Sequence, residues 1–158
     1  MYNKQKTIEY ATFWWNKRNP NFYNFDTLGG DCTNFISQCL LAGGIEMNTS
    51  KNSGWHYYSL TNRTPSWTGV EEFFNFSVNN KTSFGPKIKV VTISEVEVGD
   101  IVQLMQNKTR FNHNLLITKI DGINNLTNIK VTCHTNDALN KSLADYFFKK
   151  IRFLKILN

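Results

Sequence analysis

Apolar residues recur at helical spacing through the first half of the chain and alternate with polar ones through the second half. From about Gln5 to Asn16, Ile8, Ala11, Thr12 and Trp15 fall on one stripe, which Tyr10, Phe13 and Trp14 widen, so a helix is expected there. Asn19-Pro20-Asn21 ends it, because proline cannot continue a helix and biases the preceding residue toward extended backbone. Residues 21–30 read as an aromatic loop (Phe22, Tyr23, Phe25) entering a Gly29-Gly30 turn. A second helix opens at Cys32, with Asp31 as its N-cap and Gly43-Gly44 as its stop. Cys32, Cys39 and either Phe35 or Ile36 share one face of it. Residues 48–69 form a long polar and aromatic loop, of the length that is either functional or loosely ordered. A short helix follows, with Val70, Phe73, Phe74 and Ser77 on its buried side, and then a loop from Asn79-Asn80 to Pro86.

The second half predicts five strands: Lys87 to Ile93, a turn entering Val98 to Leu104, His113 to Ile120, Ile129 to His134, and Lys150 to Leu157. Asp121-Gly122 is the turn between the third and fourth. Helices first and an antiparallel sheet afterwards make an α+β domain. No linker or repeat divides the chain, so residues 1–158 are expected to fold as a single domain.

Composition narrows the function classes. Hydrophobic residues at 41% and aromatics at 14% suit a folded core. The three cysteines are an odd number, and neither paired Cys-x-x-Cys spacing nor His-Glu-x-x-His occurs, so no metal or cofactor is expected. The net charge of +6 is spread over scattered Lys and Arg residues without a nucleic-acid-binding signature. Nucleic acid is therefore not expected as a partner, whereas anionic wall polymers suit the basic surface. No apolar run is long enough to span a membrane, and no signal-peptide core follows Met1.

The candidate chemistry starts at Cys32. The first turn of a helix leaves N–H groups unpaired and carries the positive end of the dipole, and both favour a thiolate. In the fourth strand, Ile129, Val131 and Cys133 point to one face, while Lys130, Thr132 and His134 point to the other. Cys133 thus belongs to the core, as does Cys39. His113 opens the third strand and His134 closes the fourth, so antiparallel pairing would bring the two rings within hydrogen-bonding reach. A thiolate–imidazole pair whose histidine is oriented by a second polar group needs such an arrangement. His56 lies in the aromatic loop without such a partner.

The run Gly30-Asp31-Cys32-Thr33-Asn34-Phe35-Ile36-Ser37-Gln38-Cys39-Leu40 closely resembles the signature of the bacterial putative amidase domain family, in the NlpC/P60-like branch of papain-like cysteine hydrolases. Further matches follow in order: Tyr10-Ala11, Asn19-Pro20, Ser66-Trp67-Thr68-Gly69-Val70, Val98 to Leu104, His113, and His134-Thr135-Asn136-Asp137. The resemblance implies a compact papain-like fold with Cys32 as nucleophile and His113 as general base and acid. It implies His134 as the orienting residue, with Asn136 or Asp137 as alternatives. Relatives usually carry Ser directly after the histidine, where this chain has Asn114. Asp31 corresponds to a pocket-lining residue, Tyr23 to a residue bordering the site or its oxyanion hole, and Trp67 to a wall of the cleft.

The activity so implied is cysteine amidase or peptidase chemistry through a thioester, with peptidoglycan or a peptide-like amide as substrate. It would be exerted at the cell envelope or outside the cell. The alternatives are a Cys-dependent acyltransferase on the same fold and a non-catalytic cell-wall-binding module whose aromatic loop contacts glycan.

Overall fold

The computed structural model describes residues 1–107 and 109–158. Four helices come first: α1 (Lys4–Trp14), α2 (Cys32–Ala42), α3 (Pro65–Thr68) and α4 (Val70–Asn79). Six strands follow: β1 (Ile88–Val91), β2 (Ile101–Met105), β3 (His113–Ile120), β4 (Ile129–Cys133), β5 (Ala138–Ser142) and β6 (Lys150–Ile156). They form one sheet in the order β1-β6-β2-β3-β4-β5, and every neighbouring pair is antiparallel. The fold class is α+β, as the residue pattern predicts.

Several details differ from that pattern. The sheet has a sixth strand, β5, whose Ala-Leu-Asn-Lys-Ser sequence is mostly polar and alternates weakly. Asn140 within it has a φ of 49°, and the register against β4 shifts between Val131 and Cys133. On α1 the buried positions are Thr7 and Ala11, while Thr12 faces solvent, so the helix is rotated from the expected stripe. Residues 48–69 are neither loose nor exposed as a whole. Trp55 and Trp67 are fully buried, 4.6 Å apart between ring centroids, and α3 lies within this stretch.

The sheet is buried on both faces, and this sets the stage for the site. Phe35, Ile36, Cys39 and Leu40 of α2 pack with Ile101, Leu116 and Leu154 on one face. Val102, Leu104, Leu115, Ile117, Val131 and Cys133 pack on the other, covered by Leu143 and Tyr146. Alternation along β3 therefore turns Asn114 toward the helices and His113 toward the second core. The two adjacent residues serve opposite sides of one strand.

Candidate active site

Helix α2 begins at Cys32 because Gly29 and Gly30, at φ of 89° and 99°, take backbone conformations that glycine alone adopts freely. A Cβ on Gly30 would lie 3.2 Å from the Thr135 hydroxyl oxygen, so glycine also permits the close approach of this turn to the β4–β5 turn. Thr135 Oγ1 accepts the Asp31 N–H at 3.0 Å across that approach. Thr135 and Asn136 both have positive φ, the signature of a tight hairpin turn.

Asp31 sits at the N-cap position but its side chain does not cap the helix. Its Oδ1 instead accepts from the Phe25 N–H at 2.9 Å and the Asn34 Nδ2 at 2.9 Å, and its Oδ2 accepts from His134 Nδ1 at 2.5 Å. The N–H groups of the first turn are thereby left free of side-chain capping. That is where Cys32 places its sulfur.

Cys32 is 6% exposed and edges a cleft of about 240 Å³ lined also by Gly29, Gly30, Gly69, Arg110 and Asn112. The β3–β4 ladder starts at the Leu116–Thr132 pair, beyond Asn114. The Asn114 and Thr33 backbone N–H groups face the Cys32 sulfur, and the Thr33 hydroxyl oxygen lies 3.9 Å from it. These contacts draw the thiol pKa down, yet burial outweighs them and pushes it above the usual thiol value. The helix-start expectation of a lowered pKa is thus overturned: desolvation in the closed site is the larger effect.

His113 is 5% exposed and edges a second cleft, with Gln106, Asn112, Asn136, Lys141 and Tyr146. Burial, assisted by the nearby Lys141 charge, lowers its pKa to about 4, so the ring is neutral at neutral pH. The thiol meets the peptide N–H that follows His113, and no hydrogen bond joins the sulfur to the imidazole among the described residues. At rest the Cys32 thiol and the His113 imidazole are each neutral. Asn112 lines both clefts.

The expected contact between His113 and His134 is not formed. His134 follows Cys133, points to the α2 face, and stacks on Phe35 at 3.9 Å between centroids. Its Nδ1 faces the Asp31 carboxylate and its Nε2 donates to the Trp14 carbonyl at 2.8 Å. Both partners are hydrogen-bond acceptors. His134 therefore fastens Asp31 and α1 to the end of β4, and does not orient His113.

The remaining predicted residues sort by burial. Trp67 is fully buried, donates Nε1–H to Asn34 Oδ1 at 2.9 Å, and lines neither of these two clefts, whereas its neighbours Thr68, Gly69 and Val70 line the first. Asp31, 1% exposed and hydrogen-bonded through both oxygens, lines neither of them. Tyr23 is 40% exposed, with its N–H bonded to the Tyr57 hydroxyl and its carbonyl to the Asn34 amide, and it lies outside the lining of both clefts. Asp137 is held by Arg18, whereas Asn136 edges the His113 cleft. Arg18 binds Asp26 and Asp137 at once, each through two nitrogens at 2.9 and 3.0 Å. Among the described residues no three of His, Cys, Asp and Glu gather as a metal-binding group.

Asn114 and Thr33 are the site residues that residue-type reasoning passes over. They touch the sulfur through backbone and hydroxyl groups, which carry no nucleophile or acid–base label. The placement of Asn directly after His113 is the one sequence signal for either.

Comparison with known proteins agrees with the reading of the Gly-Asp-Cys block. The chain is 33% identical over 123 residues to the uncharacterized protein YhbB of Bacillus subtilis strain 168, an alignment covering 76% of this chain and 38% of that protein. The chain thus spans well under half the length of that relative. No solved structure matches. Residues 1–156, the stretch holding both clefts, the thiol and the three buried histidines, match one family model: the chain belongs to the putative amidase domain family.

Proposed function

We propose that this domain is a cysteine amidase or peptidase of the compact papain-like, NlpC/P60-like type, and that its substrate is a peptide-like amide of the bacterial cell wall. The observation carrying this reading is the seat of Cys32: a helix start at the edge of a cleft, with its thiol against the N–H that follows His113.

In the proposed reaction the acyl half of the substrate lies in the Cys32 cleft and the amine half in the His113 cleft, with Asn112 lining both. The sulfur attacks the amide carbonyl carbon, and the thiol proton passes to a ring nitrogen of His113. The free Cys32 N–H at the start of α2 faces the developing oxyanion. The C–N bond breaks as His113 returns its proton to the leaving amine. Water then attacks the thioester, His113 takes the water proton, and the Cys32 thiol is restored as the acid is released. Because both partners start neutral, proton transfer belongs to the substrate-bound state, where the imidazolium forms beside the oxyanion.

The test is hydrolysis of a panel of wall-derived peptide amides, with mass spectrometry for an acyl adduct on Cys32. Loss of at least about a hundredfold in kcat for both Cys32→Ala and His113→Gln, with an adduct on the wild-type protein, is expected. Full activity of Cys32→Ala would overturn the reading. Consumption of an added amine acceptor in place of water would move the domain to acyl transfer.

A further inference from the structure

Asn114 presents two groups to the helix start. Its backbone N–H addresses the Cys32 sulfur, and its side-chain Nδ2 donates to Thr33 Oγ1 at 2.9 Å. Both Asn114 and Thr33 are fully buried, so water does not compete for these bonds. The Thr33 hydroxyl accepts from Nδ2, which leaves its own hydrogen to be donated elsewhere. The other partner of that oxygen is the Cys32 sulfur, 3.9 Å away.

The amide is oriented at a cost. Asn114 Oδ1 is buried with no hydrogen-bond partner. The opposite orientation would bury both N–H bonds of Nδ2 unpaired and would draw the Thr33 hydrogen toward Oδ1, away from the sulfur. In the observed orientation one Nδ2 N–H is taken by Thr33 Oγ1, so the Thr33 hydrogen points away from the amide.

We propose that Asn114 and Thr33 form a polarised relay, Asn114 Nδ2–H to Thr33 Oγ1–H to Cys32 Sγ, that positions the nucleophile and favours its thiolate. Neither residue contacts substrate; both are positioning residues. The relay works together with the Asn114 and Thr33 N–H groups, so the sulfur, once it loses its proton, is met by donors from β3 and from α2. It offsets part of the desolvation that otherwise keeps the thiol protonated. The inference rests on Cys32 as the nucleophile, but its test needs no substrate.

The experiment is the pH profile of iodoacetamide labelling at Cys32, followed by peptide mapping to separate it from Cys39 and Cys133, on folded full-length protein. Thr33→Val, nearly isosteric, should raise the apparent thiol pKa by about half to one unit, slowing labelling near pH 7 by about three- to tenfold. Thr33→Ser keeps the hydroxyl and should follow the wild-type profile. Asn114→Asp takes the Thr33 hydrogen onto a carboxylate and should slow labelling at least as much. A Thr33→Val profile superimposed on wild type overturns the relay, as does a Thr33→Ser profile shifted like Thr33→Val. If Thr33→Val does not fold, Asn114→Asp decides, and wild-type labelling rates in that variant overturn the relay. Failure of the hydrolytic reading would leave these profiles unchanged, so the two failures are distinguishable.

Discussion

His113 is held where protonation is resisted: walled in at the end of β3, beside the second core, with the Lys141 charge nearby. This gives the fold a defined acid sensitivity. Unfolded, the ring titrates near 6.5; folded, near 4. Above the higher value it is neutral in both states and contributes no pH dependence. As pH falls through the window between them, the unfolded chain takes up a proton that the folded chain refuses, so stability drops by up to roughly 3 kcal/mol. The ion-paired Glu97, lowered from 4.5 to about 2, loses its contribution from about pH 4.5 downward, at the lower edge of this window. Urea unfolding at pH 7 and pH 4.5 should show His113→Gln losing less stability between the two than wild type does; an equal loss would assign the sensitivity elsewhere. Sequence alone made this ring a catalytic candidate from its strand-end position, and the strand indeed begins at His113. What it did not reveal was the neighbourhood. The orientation of the Asn114 amide, the burial of Trp67 and the capture of His134 by Asp31 depend on packing between segments more than 30 residues apart.

At the scale of elements, α2 is aimed by a residue whose obvious role it does not perform. Asp31 stands at the helix N-cap, yet its oxygens are claimed by Phe25, Asn34 and a histidine 103 residues away, so it pins the helix start to the end of β4. Asp31→Ala would strand the His134 ring and the Phe25 N–H without their acceptor, costing about 3–5 kcal/mol. Asp31→Asn keeps one acceptor oxygen and should cost less; thermal unfolding of the two variants orders them, and equal costs would reduce Asp31 to packing. The limits of α2 were legible because glycine pairs bracket it, and β3 because a Leu-Leu-Ile run stands just before the Asp121-Gly122 turn. Strand β5 was illegible for the converse reason. Its mostly polar edge carries little hydrophobic signal, and its pairing to β4 is set by the turn at Thr135 and Asn136.

Across the whole molecule, the Cys32 cleft is lined from the helical half and the β2–β3 connection and the His113 cleft from the sheet and its turns, so their relative placement depends on how firmly the two halves are joined. Arg18 is the polar clasp between them. It follows α1, grips Asp26 in the loop before Cys32, and grips Asp137 in the turn beyond β4, with Nε also 3.6 Å from Asp31. The carboxylates hold the guanidinium charge firmly, and Arg18 lowers the Asp26 pKa against the opposing desolvation. The pairs are partly exposed, so salt screens them and each alone would contribute little. A planar fork shared by two bidentate carboxylates is a stronger case, because one ordered side chain serves both. Arg18→Lys keeps the charge but loses the fork, and should lower stability by about 1 kcal/mol, equivalent to a melting shift of about 2–4 °C at this size. Arg18→Ala should cost more and leave Asp26 and Asp137 repelling each other. The discriminating measurement is amide hydrogen exchange. With the clasp broken, protection should fall at residues 24–31 and 134–138 together while β2 and β6 keep theirs. Exchange that rises in only one of the two segments would mean that Arg18 anchors a loop and does not couple the two sides of the site.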